Sequence, residues 1–250
     1  ERFRLAWGAG ADAGLDAYVP AGQSRVLRVP KLPAGVEQLT LTGDDYDFDN
    51  TVRLLPPQPR RVPVIFLGAD ADDDTRGSLF YLRRAFEPTA QEIVEITARR
   101  SGDTLATFEL QKAQLLFLGD GASESQIAGA RQFAKEGRIV VAPLSSADGT
   151  AALGRLLEMP ELAAEEAKVR EYALFAQIDF QSPMFVPFAD PRFSDFTKIH
   201  FWRHRSIVAD KIPGARVLAS FDDRDAAIVR VPLGKGAVIV LTSTWRPVDS

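Results

Sequence analysis

Uninterrupted apolar runs recur along this sequence with helix-like stretches between them, and this alternation constrains the fold more than any other feature. Three such runs are Val62–Gly68, Ala113–Gly119 and Arg138–Pro143. A run that is apolar at consecutive positions is typical of a strand buried on both faces. Helical patterns separate the runs, for example Ser78–Ala85 and the stretch that begins after Ser123. Strands that alternate with helices predict an α/β fold built on a parallel, doubly wound sheet.

The first part of the sequence has a different pattern, in which apolar and polar residues alternate. Arg25–Pro30 and Val36–Leu41 have the period of two expected of strands with one buried face. We therefore predict a small β-rich domain, a partial sandwich, over residues 1–56. Residues 57–61 belong to a proline-rich stretch that resists helix and central strand, so they are predicted to form a linker. The α/β domain is then expected over residues 62–250.

The last hundred residues are predicted to depart from strict alternation. Helices are expected at 153–157 and 161–172, followed by a long irregular insertion at 178–205. Three strands follow, at 215–221, 226–231 and 236–242. The short turn Leu233–Gly236 between the last two predicts a hairpin.

The composition excludes several classes of function. The 250 residues include no cysteine, which excludes a disulfide framework, a cysteine-ligated zinc site and a thiolate nucleophile. The net charge of -4, with both signs interspersed, gives no basic patch, so nucleic acid is not an expected partner. No stretch approaches the ~18 apolar residues of a membrane span. The sequence starts at Glu1 without a signal peptide, so we expect a piece of a longer protein with any membrane anchor outside it.

Short stretches between residues 43 and 250 carry a family resemblance. They are Gly43-Asp44-Asp45 with Phe48–Thr51, Phe80–Ala85, Ile178–Phe180, Pro187–Arg192, Asp195–Ile199 with Phe201-Trp202, and Gly234–Gly236 leading to Leu241–Ser243. On these stretches the chain resembles the class I glutamine amidotransferase-like segment of bacterial membrane proteins that carry a BatA-like region and a von Willebrand factor A domain. The resemblance implies a flavodoxin-like sheet. It also implies a membrane-anchored full-length protein, with this segment periplasmic or, alternatively, cytoplasmic.

The residues that perform chemistry in active class I amidotransferases are missing. Those enzymes use a cysteine on a sharp, glycine-flanked turn after a strand, activated by a downstream His-Glu pair. The matching turn here follows Ile139–Val141 and offers only Ser145 and Ser146, and Arg246 stands where a histidine is needed. We therefore predict no enzyme activity and no catalytic residue. A hydrolase that uses Ser145 or Ser146 is the alternative, although serines in a strand-to-helix loop more often cap the helix.

Polar residues follow several of the predicted strands, at the edge where α/β sheets bind ligands. If this edge binds a small ligand or a cation, the predicted binding residues are Asp70, Asp72, Asp120, Ser145 and Ser146. No glycine-rich phosphate cradle accompanies them, so no cofactor is predicted. His200 and His204 are four residues apart but do not form a His-Glu-x-x-His motif, so no metal site is predicted.

The insertion at 178–205 is crowded with aromatic residues. We expect an ordered, packed loop in which Arg192 pairs with Asp190 or Asp195 and three rings are kept from water, namely Phe180, Phe188 and Phe196. The alternative is that the aromatics form a surface for docking another protein.

These expectations combine into one prediction of function, a non-catalytic amidotransferase-like scaffold or protein-interaction module of a membrane-anchored bacterial protein. Its partner would be another protein or other domains of the same chain, and the membrane would be reached only through segments outside these residues. A serine hydrolase and a module that binds a small ligand or cation at the sheet edge remain the alternatives.

Overall fold

A computed structural model describes residues 1–8, 14–29, 35–46, 48–54 and 58–250 of the chain. These residues fall into two compact units, Glu1–Pro59 and Arg60–Ser250. Arg60 and Arg61, which the sequence placed in the linker, already belong to a strand of the second unit, and residues 55–57 of the proline-rich stretch lie outside the described residues. Among the helices described, none combines the length and the apolar character needed to cross a lipid bilayer.

The first unit contains a four-stranded antiparallel sheet. Its strands are β1 (Arg2–Trp7), β2 (Gly14–Tyr18), β3 (Gln38–Thr42) and β4 (Thr51–Arg53), in the order β2-β1-β3-β4. The strand predicted at 25–30 is not formed over its described residues, and Val26 is 98% exposed. Alternation stabilises an extended segment only when a neighbouring strand supplies hydrogen bonds, and among the described residues neither edge strand, β2 or β4, pairs with this segment.

The second unit is a mixed α/β structure around an eight-stranded sheet, most of which is parallel. Five strands run parallel, namely β5 (Arg60–Leu67), β6 (Glu92–Arg99), β7 (Leu115–Leu118), β8 (Ile139–Pro143) and β14 (Gly236–Leu241). Their spatial order is β14-β8-β7-β5-β6. When these five strands are numbered along the chain and read from the β6 edge, this is the doubly wound order 2-1-3-4-5. The predicted parallel arrangement of the three apolar runs, which form β5, β7 and β8, is therefore confirmed.

The remaining three strands make the sheet mixed, whereas the predicted fold class is a parallel sheet with one hairpin near its end. They are β10 (Phe175–Ile178), β12 (Arg216–Phe221) and β13 (Ala226–Leu233), and each runs antiparallel to its neighbours. Short connections explain the β12–β13 and β13–β14 pairs, because a parallel pair needs a crossover of a dozen or more residues, whereas β10 and β12 are joined through the long insertion. The hairpin predicted at Leu233–Gly236 is present, and it joins β13 to β14.

Four α-helices accompany the sheet, namely α1 (Ser78–Ala85), α2 (Thr107–Lys112), α3 (Glu124–Lys135) and α4 (Thr150–Leu157). Helix α3 begins after Ser123 as predicted, and the Ser123 side chain caps it by accepting a hydrogen bond from the Gln126 amide. The helix predicted at 161–172 is absent. Part of it forms β9 (Ala164–Glu166) instead, which pairs with β11 (Arg205–Ile207), so a long-range partner overrides the local helical pattern.

Helices cover both faces of the sheet, but unequally. On one face α3 and α4 pack over Ile65 and Val140. On the other face α1 packs over Val64 and Phe66, since successive residues of a strand point to opposite faces. That second face has no helix over β12, β13 and β14. The aromatic insertion covers them instead, with Phe185 packed against Leu218 and Ile239.

The insertion is ordered by its own turns and rings. The Phe185 amide donates to the Ser182 carbonyl (2.8 Å), and Arg192 pairs with Asp190 as predicted (Nη2–Oδ2 2.7 Å). The Arg192 guanidinium beside Asp190 holds the pKa of that carboxyl below its usual value. One expectation is corrected, because Phe188 is 41% exposed, although its ring makes an edge contact with Phe196. Phe185, 5% exposed, is the buried ring instead.

Candidate functional site

The loop after β7 is a tight turn that brings Asp120 to the carboxyl edge of the sheet. Gly121 has a φ of +72°, and a Cβ on Gly119 would lie 2.7 Å from the Phe66 ring, so both positions favour glycine. The Asp120 carbonyl accepts a hydrogen bond from the Ala69 amide (2.7 Å), which ties this turn to the loop after β5. The carboxylate of Asp120 is thereby held at the point where the order of the strands reverses.

Ser145 and Ser146 follow β8 and face the same edge. The Ser145 hydroxyl donates to Oδ1 of Asp120. The Ser146 hydroxyl accepts from the Gly149 amide (3.3 Å) and caps the short 3-10 turn that leads into α4. This confirms the capping role that the sequence favours for Ser146. Neither serine is among the described non-glycine residues with positive φ, so the strained turn of a nucleophile is not found at either position.

A cavity of about 340 Å³ opens between the ends of β7 and β8. Three of the five predicted binding residues line it, namely Asp120, Ser145 and Ser146, together with Asp148 and Arg155. The other two lie elsewhere and are engaged by α1. Asp70 accepts a hydrogen bond from the Leu79 amide in the first turn of this helix (3.0 Å), and Asp72 pairs with Arg83 (2.9 Å). Asp70 and Asp72 therefore bind residues of α1 and do not line the cavity.

Arg246 lies beside this cavity and contacts Asp120 and Ser145. Its Nη1 is 3.4 Å from Oδ2 of Asp120, and its Nη2 donates to the Ser145 carbonyl (3.2 Å). The preceding residue fixes this position, since Trp245 donates from its indole to the Ser78 carbonyl (2.8 Å) and packs edge-on against Phe117. Both carboxylate oxygens of Asp120 are thus engaged by protein groups, one by Ser145 and one by Arg246.

A buried ion pair between Arg205 and Asp249 lies next to Arg246. Asp249 is fully buried, and its Oδ1 is 3.1 Å from Nη2 of Arg205, which is 2% exposed. Its Oδ2 accepts from the Thr244 hydroxyl and lies 3.4 Å from Nη2 of Arg246. Arg205 also donates to the Leu144 carbonyl, next to Ser145 (3.0 Å). We call Asp120, Arg205, Arg246 and Asp249 the edge network.

The two histidines do not line the cavity and contact different partners. His200 stacks on Tyr172, with ring centroids 4.1 Å apart. His204 is fully buried against Phe221, and its Nε2 faces two carboxylates of the β12–β13 hairpin, Asp223 and Asp225.

The chemistry of the cavity follows from these contacts. Serine becomes a nucleophile when a neighbouring base takes its proton and a further group orients that base. The neighbour of Ser145 is Asp120, which is paired with Arg246, and no histidine is among the residues that line the cavity. The arrangement therefore positions polar groups for binding but supplies no histidine to activate Ser145.

The sequence alone missed most of the edge network. It singled out Asp120 from its place after a strand, and Arg246 only as a departure from a pattern. Arg205 and Asp249 are 44 residues apart, and no local motif marks either residue. A buried arginine can be recognised only when the strand that carries it has been placed in the fold.

Comparison with solved structures shows where this architecture recurs. The cytoplasmic protein STM1381 from Salmonella typhimurium LT2 is similar with a TM-score of 0.53 and 10% identity, covering 74% of this chain and 89% of that one. The cytoplasmic protein STM3548 from Salmonella typhimurium is similar with a TM-score of 0.51 and 14% identity, covering 74% and 88%. A protein described as ThuA-like, from Parabacteroides merdae, has a TM-score of 0.48 and 12% identity over 74% and 80%.

No protein-family model matches the sequence, and no curated protein matches it significantly. At these low identities the structural similarity establishes the fold and does not establish a function.

Proposed function

We propose that Arg60–Ser250 is a non-catalytic amidotransferase-like module that acts as a scaffold or protein-interaction domain. One observation carries the proposal. The hydroxyl of Ser145, at the expected nucleophile position, donates a hydrogen bond to Asp120, which is itself paired with Arg246, and no histidine lines the cavity. In this proposal the cavity corresponds to an amidotransferase active site that has lost the cysteine and histidine used in its chemistry.

The amidotransferase-like assignment is supported at two levels. The five parallel strands have the order shared by flavodoxin-like folds, and their carboxyl edge carries Asp120 and Ser145. The similarity to the two Salmonella proteins covers 74% of the chain and supports the same architecture. Neither level assigns an activity.

The interaction role is supported by the outer side of the aromatic insertion. While Phe185 packs inward, four apolar side chains of the same segment remain substantially exposed, namely Met184, Val186, Phe188 and Phe193. Contiguous exposed apolar side chains are typical of surfaces that bind other proteins. We propose that this segment contacts a protein partner or another domain of the same chain. Attachment to a bacterial membrane, with the module in the periplasm or the cytoplasm, rests on the sequence resemblance alone.

A small-ligand site is the second candidate, and the cavity between β7 and β8 favours it. The cavity holds about 340 Å³ and brings together Asp120, Ser145, Ser146 and Asp148. That volume lies at the lower end of the range of small-molecule sites. A ligand with a hydroxyl or a positively charged group would replace Ser145 as the partner of Asp120.

The proposal predicts no amide or ester hydrolysis. The chain, incubated with glutamine and separately with a p-nitrophenyl ester, is expected to release ammonia and nitrophenol at the rate of a buffer blank. Ser145→Ala and Ser146→Ala should give the same rates as the unchanged chain, because neither hydroxyl is activated. Turnover that Ser145→Ala or Ser146→Ala abolishes would show a working serine hydrolase and refute the proposal.

A further inference from the structure

A second cluster of polar residues lies near the end of β14, apart from the cavity. The hairpin Asp222–Asp225 connects β12 to β13, and the start of β13 meets the end of β14, where the Thr242 hydroxyl donates to the Ala226 carbonyl (2.7 Å). His204, just before β11, points its Nε2 at this hairpin. Oδ2 of Asp223 is 3.0 Å from this nitrogen, and Oδ2 of Asp225 is 3.2 Å from it.

We propose that His204, Asp223 and Asp225 bind one divalent first-row cation such as Zn²⁺ or Mn²⁺. One imidazole nitrogen and two carboxylate oxygens are ligands that these ions accept. With bonds of about 2.0–2.2 Å, neighbouring ligand atoms around such an ion lie roughly 2.9–3.5 Å apart. The two measured separations, 3.0 and 3.2 Å, fall within that spacing.

Each carboxylate is already oriented for this role by a hydrogen bond to its other oxygen. Oδ1 of Asp225 accepts from the Ser206 hydroxyl (2.9 Å), and Oδ1 of Asp223 accepts from the Asp225 amide (3.0 Å). Both Oδ2 atoms are therefore left facing Nε2 of His204. Outer contacts of this kind fix the ligands of metal sites before the ion arrives.

The negative charge of the two carboxylates also favours binding of a cation. Two carboxylates converge on a single ring nitrogen of a fully buried histidine, and a neutral imidazole has one N–H with which to serve both. A divalent ion would neutralise both carboxylates at once. It could enter from solvent, because the Asp223 side chain is 41% exposed and that of Asp225 is 29% exposed. The remaining coordination positions would be open to water.

The other ring nitrogen sets the expected strength of binding. Nδ1 of His204 is buried and has no hydrogen-bond partner among the described residues. Most metal-binding histidines donate that N–H to an acceptor, and losing such a contact typically weakens binding by about 10–100-fold. We therefore expect reversible binding that a chelator removes readily.

Calorimetric titration of the chelator-treated 250-residue chain with ZnCl₂, and separately with MnCl₂, tests the proposal. We expect one ion bound per chain by at least one of the two metals, together with a higher melting temperature. Asp223→Asn should weaken this binding by at least about tenfold. The substitution keeps an Oδ1 to accept from the Asp225 amide, so the hairpin is expected to remain folded. Asp225→Asn is the second variant, with the same expected loss.

Asp222→Asn is the matched control. Asp222 belongs to the same hairpin, and its Oδ1 accepts from the Leu174 amide (3.2 Å), which asparagine can also do. This variant changes the net charge by the same amount and should bind the ion as the unchanged chain does. Two results overturn the proposal. One is that neither metal binds at about millimolar concentration, and the other is that Asp223→Asn and Asp225→Asn bind as tightly as Asp222→Asn.

Discussion

Asp249→Ala is expected to lower the free energy of unfolding of the second unit by about 3–5 kcal/mol. The substitution leaves the guanidinium of Arg205 in a buried position, 2% exposed, without the carboxylate that lies 3.1 Å from it. Glu166 is the remaining carboxylate paired with Arg205, and its side chain is half exposed. Removing one member of a buried ion pair costs more than the pair contributes, because the other charge stays desolvated.

Urea denaturation followed by tryptophan fluorescence measures this effect, since two of the three tryptophans, Trp202 and Trp245, lie in the second unit. Asp148→Ala is the control, because it removes the same charge from an exposed position at the same edge and should change stability by about 0.5 kcal/mol or less. A loss below about 1 kcal/mol for Asp249→Ala would mean that water reaches Arg205 and that the Arg205–Asp249 pair is not buried.

Phe185→Ala is expected to destabilise the second unit by about 3–5 kcal/mol, which is the usual cost of deleting a buried phenylalanine ring. Phe185 is 5% exposed and packs where the second face of the sheet has no helix. Phe188→Ala, three residues away, removes the same atoms from a ring that is 41% exposed and should cost about 1 kcal/mol or less. The same urea experiment compares the two variants. Equal losses, or a larger loss for Phe188→Ala, would contradict the packing described for the insertion.

Local patterns in the sequence predict the centre of the second unit well. Runs such as Val62–Gly68 form strands with both faces covered. Because side chains on both faces of such a strand are apolar, the sequence shows an unbroken apolar run. The hairpin at Leu233–Gly236 follows from its turn residues. Prediction fails where distant segments pair. The stretch 161–172 has a helical pattern, yet Ala164–Glu166 becomes a strand because β11 is available to it.

The candidate site is likewise predictable from the sequence only in part. Asp120, Ser145 and Ser146 meet at one cavity because the ends of neighbouring parallel strands share an edge, which strand order alone predicts. The partners that decide the chemistry come from far along the chain. Arg246 contacts Ser145, from which it is separated by 101 positions in the sequence, and His204 contacts Asp225, 21 positions away. Such contacts depend on the antiparallel extension of the sheet and on the path of the chain after β14, and neither leaves a local motif.

The reactivity of Ser145 is the most direct test of the central claim, that this site has the place of an amidotransferase active site without its chemistry. The chain would be incubated with a fluorophosphonate probe, which labels activated serines, and the labelled positions would be identified by peptide mass spectrometry. With Ser145 engaged by Asp120 and no histidine lining the cavity, we predict labelling no greater than that of the exposed Ser125. Labelling of Ser145 alone in the folded chain, lost on unfolding in urea, would contradict the account.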